Sequence, residues 1–536
     1  MSLAGWPTSG ATSEANQDQA NREIYLALGL GLDFFQNDLT SAQRSVITTS
    51  LKDRLSQASA QFAQLDAWPY NSHVLTNAQY VTEALIHATG TPEFPESATW
   101  LATAWEAWMT SLGTWGGSDG GFGNSGAYGW YSMTVLPRGL ALAKLASKVD
   151  LARWPVVGNF GDNQIAFTPP AGVLRSQFGD EAEISSHYFD YAYDAFRLYA
   201  AVTNKPAHEW YWRASAKNIS LAVALPPVHY MLLGIGTARV LPTAPAANSW
   251  LFEDAGLVAM HTATADPLRS SVFFRSSRLG SFNHSNADNN AFTFVSKGQP
   301  LLITGGYTPY YRSPHNALVA RATRFKNALT VDGGIGQAEP GATPAAPGSP
   351  LDTMDARGEL INFIDNGQWA VATGDASLAY RGQNPSTKAW SPILTDAVRS
   401  VAFQRKEKVV VIYDWASSAT PRTWELNFQS LTLPTLTAGT ARIDNGGASA
   451  CIDVYGLGGS FKVTSGFPVA PEKPMPNQFQ ARYASSGRTP ELVAVTVIRE
   501  DCRDVPVTVT FNGTAASVSI NGAKPLVADR KTISVP

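Results

Sequence analysis

The segment LPTAPAANS, residues 241–249, separates two parts of the chain whose apolar residues repeat with different periods. Before it, stretches such as REIYLALGLGLDFF, VLTNAQYVTEALIHA and YFDYAYDAFRLYAAV have the spacing of amphipathic helices. After it, alternating stretches such as SVFFRSS, AFTFVSK and KVVVIYDWA predict β-strands. Helices first and strands second are typical of an α+β chain with separate helical and sheet domains.

Length and composition divide the chain further. At 536 residues it exceeds the size at which a single hydrophobic core stops growing. We predict an α+β multidomain chain in which residues 1–240 form a complete or partial α/α toroid. Residues 250–430 are predicted to form a central antiparallel β-sandwich, and residues 431–536 a smaller C-terminal one. The stretch GQAEPGATPAAPGSP, residues 336–350, is predicted to be a loop of the central domain.

Charge and cysteine content exclude several kinds of partner. Forty Lys and Arg against 43 Asp and Glu give a net charge of -3, which argues against bulk attraction to nucleic acid or to an anionic membrane. The most apolar stretch, residues 219–243, is interrupted by Pro226, Pro227 and His229 and is a poor membrane span. Cys451 and Cys502 are too few for a cysteine-based metal cluster, and either a disulfide or two buried thiols would fit the sequence.

The eight histidines are few enough to be weighed one by one. His73 stands at a predicted helix start, His284 precedes a predicted strand, and His315 lies in a predicted loop, so these three are candidates for chemistry. The other five lie in helix or strand patterns and are interpreted as structural: His87, His187, His208, His229 and His261.

Five segments around these candidates carry a family resemblance. SFNHSNADNNAFTF (281–294), GQPLLITGGYTPYYRSPH (298–315) and RFKNALTVDGGIGQ (324–337) resemble, in order and spacing, a run typical of the heparinase II/III-like polysaccharide lyases, which include alginate lyases. PYNSHVLTN (69–77) is similar to the family's histidine-bearing helix start, and GGFGNSGAYGWY (120–131) to its glycine-rich segment with two tyrosines. The resemblance covers nearly the whole chain, and the three downstream segments are its most specific part.

The resemblance implies β-elimination on a uronic-acid-containing polysaccharide, such as alginate or a heparin-like or heparan-like glycosaminoglycan, with 4,5-unsaturated uronide ends as products. This reaction removes the C5 proton and expels the O4 substituent, but C5 is too weak an acid while the neighbouring carboxylate is ionised. The enzyme must therefore stabilise the charge that develops on the enolate. It also needs an acid and a base, and Tyr, with a pKa of about 10, or His, at about 6.5, can serve.

The roles carried over by resemblance fall on both halves of the chain. Asn71 and His73 would bind the carboxylate and take part in proton transfer, Tyr128 would be the general acid or base, and His284 would face them from the sheet domain. Tyr131 is the alternative to Tyr128. Ordinary aromatic packing would also explain the two tyrosines, a helix cap would explain His73, and a hydrogen-bonded histidine at a strand start would explain His284.

A further set is predicted to bind substrate: Tyr131, Arg312, His315, Tyr311, Arg324, Lys326 and Asn286. Several belong to a basic stretch, residues 269–331, in which Asp288 is the only acid. We interpret this stretch as a polyanion-binding groove, with a solvated strand face as the alternative. Its basic members are Arg269, Arg275, Arg278, Lys297, Arg312, Arg321, Arg324 and Lys326.

No metal or cofactor is predicted. Positions that supply zinc ligands in zinc-bearing relatives correspond to Asn286, Thr304 and Lys326, whereas zinc prefers thiolate, imidazole and carboxylate ligands. Lys326 is hypothesised to replace the charge of the ion. The first residues, MSLAGWPTSG, lack the features of a secretion signal, and we expect a periplasmic or secreted protein whose signal has been removed.

Two other functions stay open. The first is a glycoside hydrolase, because α/α toroids also carry inverting hydrolases with two carboxylates, and its candidates are Asp119 with Asp180 or Glu181. The second is a polysaccharide-binding protein without catalysis. Formation of an unsaturated product would distinguish the lyase from both.

Overall fold

A computed structural model describes most of the chain. The loop predicted beyond residue 338, together with His187, His229 and Glu181, falls outside the described part. Among the described helices, none has the length and apolar character needed to cross a membrane. The described residues are 2–64, 71–172, 176–180, 189–215, 240–338, 356–383, 386–387 and 389–536.

Helices occupy the described chain up to Ser215, as the sequence period predicts. The start of one helix, at Thr40 and Gln43, has a capping box in which each side chain bonds the other's backbone N–H. The helices are α1 Glu14–Phe34, α2 Ser41–Ser59, α3 Ser72–Ala88, α4 Ser97–Leu112, α5 Gly126–Ser147, α6 Pro155–Gly158, α7 Phe160–Phe167, α8 Phe189–Thr203 and α9 Pro206–Ser215.

Two apolar cores hold these helices together. Leu28 of α1, Leu51 of α2 and Leu85 of α3 belong to one core, while α3, α4, α5 and α8 share a second around Trp108 and Phe196. The predicted arrangement of a helical domain followed by antiparallel sheets is confirmed, and closure of the helices into a toroid stays a prediction.

Strands begin at Ser249 and continue almost to the last residue. They are β1 Ser249–Phe252, β2 Leu257–His261, β3 Ser271–Arg275, β4 Ala291–Ser296, β5 Gln299–Leu302, β6 Leu329–Val331, β7 Glu359–Asp365, β8 Trp369–Asp375, β9 Arg381–Gln383, β10 Trp390–Pro392, β11 Asp396–Gln404, β12 Val409–Arg422, β13 Trp424–Ser430, β14 Thr435–Thr437, β15 Thr440–Asn445, β16 Ala448–Tyr455, β17 Gly459–Ser465, β18 Phe479–Ser485, β19 Thr489–Glu500, β20 Val507–Asn512, β21 Ala515–Ile520, β22 Leu526–Asp529 and β23 Thr532–Ser534.

The strands form antiparallel sheets in stacked layers. A first sheet has the order β1-β2-β3-β4-β5, a central sheet of eight strands has the order β14-β15-β16-β19-β12-β11-β8-β7, and a side sheet has the order β17-β18-β13-β6. A terminal sheet, β20-β21-β22-β23, and the β9-β10 hairpin complete the described set.

Both faces of the central sheet are buried, because successive side chains of a strand point to opposite faces. Val410 and Ile412 of β12 face the first and side sheets, in one core with Phe274 and Phe428. Val411, between them in sequence, faces the terminal sheet in another core. The central sheet is therefore the middle layer of the sheet half.

The domain boundary predicted near residue 430 falls inside this layer. The central sheet takes β7, β8, β11 and β12 from before that residue, and β14, β15, β16 and β19 from after it. Residues 431–536 therefore do not form a separate sandwich, and the structure does not support that boundary. The change in composition marks the point where the chain passes from the side sheet to the central sheet.

The helical and sheet halves pack directly against each other. Ala166 and Phe178 of the helical half share an apolar core with Phe252 and Phe273 of the first sheet. Arg269 adds polar contacts, since its guanidinium donates to the carbonyl oxygens of residues 165 and 166 at 2.9 and 2.7 Å. The first sheet is thus covered on its second face, and the boundary between the halves is fixed.

The two cysteines form a disulfide that joins Cys451 of β16 to Cys502, 51 residues later. Replacement of both cysteines with Ser is expected to lower the free energy of unfolding by about 4 kcal/mol, because the open chain gains the entropy of a long loop. Urea unfolding followed by tryptophan fluorescence would measure the change. A reducing agent should bring the wild type to the level of the variant and leave the variant unchanged, and equal midpoints for oxidised wild type and variant would contradict the prediction.

Candidate active site

A cleft of about 510 Å³ lies between the helical and sheet halves. Its helical side comes from the start of α1, a residue beyond α2 and the start of α3, and its sheet side comes from two loops of the sheet half. The lining residues are Glu14, Ala15, Asn16, Asp18, Gln61, Asn71, Ser72, His73, Phe282, Asn283, His284, Tyr311 and Arg312.

The helical half fixes the backbone of His284. Asn124, in the glycine-rich segment before α5, accepts the His284 N–H on Oδ1 at 3.0 Å, and the Asp180 N–H donates to the His284 carbonyl at 3.0 Å. Next to Asp180, Gly179 has φ +82°, and a Cβ there would lie 2.7 Å from the His284 carbonyl oxygen. Only glycine allows this close approach.

The His284 ring is held by a buried carboxylate. Its Nδ1 lies 2.7 Å from Asp180 Oδ2, while the Thr308 hydroxyl and the Asn316 amide both donate to Asp180 Oδ1 at 3.2 Å. Burial lowers the pKa of His284, and the hydrogen bond with Asp180 opposes this. A neutral ring that donates from Nδ1 to Asp180 keeps Nε2 unprotonated, and that nitrogen can act as a base.

Tyr128 stacks on this imidazole from the helical side. The two ring centroids are 3.6 Å apart with the planes 18° from parallel, and Tyr311 contacts the same imidazole at 4.6 Å. Tyr131, three residues further along α5, lies 6.4 Å from Tyr128. The structure thus brings together the predicted phenol of the helical half and the predicted imidazole of the sheet half.

His73 belongs to a second ionic group at the start of α3. Its Nδ1 lies 2.5 Å from Asp18 Oδ2, and Arg22 pairs with the same carboxylate oxygen. Burial raises the pKa of Asp18, but the hydrogen bond with His73 and the charge of Arg22 outweigh it and leave that pKa lowered. His73 is half exposed to the cleft, at 52% of its side-chain surface.

Tyr131 reaches this group through Arg22, whose Nη1 lies 3.4 Å from the phenol oxygen. Burial raises the pKa of Tyr131, and Arg22 only partly opposes it. The phenolate of Tyr131 is therefore harder to form than that of an ordinary tyrosine, which makes Tyr131 less suited to act as a base.

Asn71 caps α3. Its Oδ1 accepts the backbone N–H groups of His73 and Val74 at 3.0 and 3.3 Å, an interaction typically worth about 1 kcal/mol. The cap considered as an alternative for His73 is thus provided by Asn71, and Asn71 also lines the cleft.

Three of the residues predicted to bind substrate are buried away from the cleft. His315 donates from Nδ1 to the Val469 carbonyl at 2.6 Å and accepts the Tyr307 N–H on Nε2 at 3.2 Å. Lys326 and Asn286 have no exposed surface. Direct contact with substrate is not supported for these three, because their side chains are fully buried.

Tyr311 and Arg312 do line the cleft, and Arg312 lies over the Tyr311 ring at 5.4 Å. Arg324, by contrast, donates to the Leu318 carbonyl at 3.1 Å and packs over the Phe325 ring. It is not among the residues that line the cleft.

The basic stretch forms neither the predicted polyanion groove nor a solvated strand face. Arg275 pairs with Asp288 in the interior, and Arg321 donates to the carbonyl oxygens of Ser281 and Asn283, which precede His284. Two exposed members, Arg278 and Lys297, pair with Glu359 and Asp501. Of the eight, Arg312 alone is among the described residues that line the cleft.

The residues at the proposed zinc positions do not fit that ion. Lys326 is buried, its Nζ donates to the Gly305 carbonyl at 2.7 Å, and burial lowers its pKa to about 8. The Asn286 amide and the Thr304 hydroxyl are buried without a hydrogen-bond partner. An amide, a hydroxyl and an amine are not the ligands that zinc prefers, and the described residues contain no cluster of three His, Cys, Asp or Glu suited to a metal.

Of the carboxylates proposed for a hydrolase, Asp119 and Asp180 do not form a pair in the cleft, and Glu181 lies outside the described residues. Asp119 accepts the N–H groups of Gly121 and Asp254 and closes a turn outside the cleft lining. Asp180 has both oxygens engaged and 1% of its surface exposed. Neither is placed to protonate a leaving group.

Four residues that support the site were not given this role from the sequence. Asn124 was inside a quoted motif but was not singled out. Asp18 and Arg22, four residues apart on α1, gave a detectable signal, because charges at this spacing on one helix can pair. Asp180 was considered only as a hydrolase acid, and its partnership with His284 joins positions 104 residues apart.

Comparisons with known proteins agree with this architecture. Residues 244–453 match the family model described as Heparinase II/III-like, C-terminal. Heparan sulfate lyase HepC from Pedobacter heparinus is 16% identical with a TM-score of 0.66, and the alignment covers 97% of this chain and 76% of that one. Heparinase III is 15% identical with a TM-score of 0.68, covering 98% and 77%. Paenibacillus xanthan lyase is 12% identical with a TM-score of 0.56, covering 95% and 52%. No curated protein sequence matches the chain.

The matched segment contains His284, Tyr311 and Arg312, which form most of the sheet side of the cleft. The solved structures extend the shared fold to the helical half, since each alignment covers at least 95% of this chain. Residues 244–453 therefore match the Heparinase II/III-like, C-terminal family model, and the chain as a whole shares its fold with the solved lyase structures.

Proposed function

We propose that this protein cleaves a uronic-acid-containing polysaccharide by β-elimination and leaves a 4,5-unsaturated uronide at the new end. The observation that carries the proposal is the stacked pair of His284 and Tyr128, whose ring centroids are 3.6 Å apart and which joins the two halves of the molecule. His284 lines the cleft, and Tyr128 is half-buried behind its ring. Asn71 and His73 line the opposite side. An acid, a base and donors for a carboxylate are thus grouped as the reaction requires.

In this proposal each side chain has one task. The Asn71 amide, His73 and Arg312 bind the uronate carboxylate and stabilise the enolate. His284 Nε2 takes the C5 proton, the electrons of that bond form the C4=C5 double bond, and the C4–O4 bond breaks. The Tyr128 phenol then protonates the departing O4. His284 is assigned as the base because burial favours its neutral form. Tyr128 is assigned as the acid because a tyrosine is protonated at neutral pH.

Substrate and compartment are also proposals. Heparin-like or heparan-like glycosaminoglycans are supported by the names of two structural neighbours, a heparan sulfate lyase and a heparinase, and alginate is the other candidate. A periplasmic or secreted location is supported by the disulfide between Cys451 and Cys502, because disulfides persist in oxidising compartments.

A screen of uronic-acid polysaccharides tests the proposal. The purified protein is incubated with alginate, heparosan, heparan sulfate, hyaluronan and glucuronan, and the ultraviolet absorbance of the unsaturated product is followed. A rise in absorbance is expected with at least one polymer. New reducing ends without absorbance would instead support the hydrolase, and binding without any cleavage would support the non-catalytic alternative.

The Tyr128→Phe variant tests the acid. Loss of the phenol is expected to lower kcat by about 10²- to 10⁴-fold, the usual contribution of a general acid, with a smaller effect on KM. Tyr131→Phe is the matched control, since it removes the same atom from the same helix and is expected to cost much less. A large loss in Tyr131→Phe with little change in Tyr128→Phe would assign the role to the alternative tyrosine.

The pH dependence tests His284. Because burial lowers its pKa, the neutral base is expected to persist below the ordinary value of about 6.5, so the acidic limb of the kcat/KM profile should lie below that pH. Asp180→Asn removes the group that raises this pKa and should move the limb to still lower pH. It should also reduce kcat, because the carboxylate that selects the Nδ1–H tautomer is lost.

Asp162→Asn is the matched control for this experiment. Asp162 pairs with the buried His208 at 3.0 Å, outside the cleft lining, so its replacement should leave the pH profile unchanged. An acidic limb that does not move in Asp180→Asn would contradict the role of His284 as the base.

A further inference from the structure

Two loops of the sheet half pack together at His315. The first, residues 303–316, follows β5 and contains the cleft residues Tyr311 and Arg312. The second, residues 466–478, joins β17 to β18 and contains four prolines. Proline restricts the unfolded chain, so the 466–478 loop loses less conformational entropy on folding and is a firm support for its neighbour.

The His315 side chain joins the two loops. Its ring is fully buried, its Nδ1 donates to the Val469 carbonyl at 2.6 Å, and its Nε2 accepts the Tyr307 N–H at 3.2 Å. The backbone N–H of His315 donates to the Glu472 carboxylate at 3.1 Å. Phe467 packs edge-on against the imidazole, with the ring centroids 4.8 Å apart. Each ring nitrogen therefore bonds the backbone of a different loop.

These two bonds determine the protonation state of the ring. A nitrogen that accepts an N–H carries no proton, so the proton of neutral His315 must be on Nδ1. Burial lowers the pKa of His315, which favours the neutral form that the two bonds require. The imidazole is thus held in one tautomer and one orientation.

The bond between Tyr307 and His315 lies next to the groups that support the proposed base. The Thr308 hydroxyl donates to Asp180 Oδ1 at 3.2 Å, and the Asn316 amide donates to the same oxygen at 3.2 Å. Thr308 follows Tyr307 in the chain, and Asn316 follows His315. The bond from the Tyr307 N–H to the imidazole therefore sets the spacing between the two donors.

We propose that His315 is a positioning residue of the lyase site, which acts through Asp180 on the His284 base. The inference rests on the proposed lyase function and assigns a role to a residue that does not touch substrate. The His315 ring keeps the donors of the 303–316 loop on the Asp180 carboxylate, and this carboxylate orients the His284 imidazole. Loss of the ring should slow proton transfer more than it weakens substrate binding, because the chemical step depends on precise placement of the base.

Two amide substitutions separate the two bonds of the ring. His315→Gln can reproduce the acceptor at Nε2, whereas His315→Asn can reproduce only the donor at Nδ1. His315→Asn is expected to lower kcat by about 10- to 100-fold, with a smaller change in KM, since a displacement of about 1 Å can cost that much. His315→Gln is expected to retain most of kcat.

His261→Asn is the matched control for these variants. His261 is also fully buried, its Nδ1 lies 2.9 Å from the Ser271 hydroxyl, and it is outside the cleft lining. Its replacement should lower the melting temperature, as His315→Asn does, but leave kcat unchanged.

A double-mutant cycle tests the path to the base. Thr308→Val removes the hydroxyl that donates to Asp180 and keeps the branched shape of the side chain. If His315 acts through this donor, His315→Asn should cost less kcat in the Thr308→Val background than in the wild type, because coupled residues have non-additive effects. Phe467→Leu, which loosens the ring packed on His315, takes the place of His315→Asn in the cycle if that variant does not fold.

Hydrogen–deuterium exchange adds a measurement that does not need activity. Residues 281–288, around His284, are expected to exchange faster in His315→Asn and to keep the wild-type rate in His315→Gln and His261→Asn. Additive losses in the cycle, an equal loss of kcat in His261→Asn, or unchanged exchange around His284 overturns the inference and leaves the lyase function standing. Absence of unsaturated product from the wild type with every polymer overturns the lyase function, and the exchange rates then decide whether His315 positions His284.

Discussion

The site depends on hydrogen bonds that cross from the helical half to one loop of the sheet half. Asn124 and Asp180 hold the backbone of His284, and Asp180 also orients its ring. A buried carboxylate with both oxygens hydrogen-bonded is a rigid support. The imidazole is therefore placed by residues of the other half, and the cleft keeps its geometry only while the two halves stay in contact.

The same constraint explains the use of arginine in this molecule. Loops that lie between two packed domains leave carbonyl oxygens away from water, and each of these needs a donor. Arg269 and Arg321 supply several donors apiece to such oxygens. A high local density of basic residues thus reflects the satisfaction of buried backbone groups, and Arg312 is the one member of the basic stretch among the described residues that line the cleft.

Sequence reasoning recovered the order of the helical and sheet halves, because hydrophobic period reports local structure. It also singled out His73, Tyr128 and His284; the structure places His73 and His284 on one cleft and Tyr128 against the His284 ring, and their catalytic roles stay predictions. It did not recover which polar side chains turn inward. His315 and Lys326 stand beside cleft residues in sequence but are buried, and burial depends on packing between distant segments. The boundary near residue 430 was misplaced for the same reason, since pairing of β12 with β19 joins strands separated by most of the C-terminal region.

The pairing of β12 with β19 also determines how late in synthesis the central sheet can form completely. β12 occupies the interior of the central sheet between β11 and β19, so one of its edges has no partner until residue 500 has left the ribosome. Non-local pairing of this kind slows folding, and an unpaired apolar strand is prone to aggregate. Nascent chains that end before β19 therefore expose the middle layer of the molecule, and their survival depends on chaperones or on rapid completion of translation.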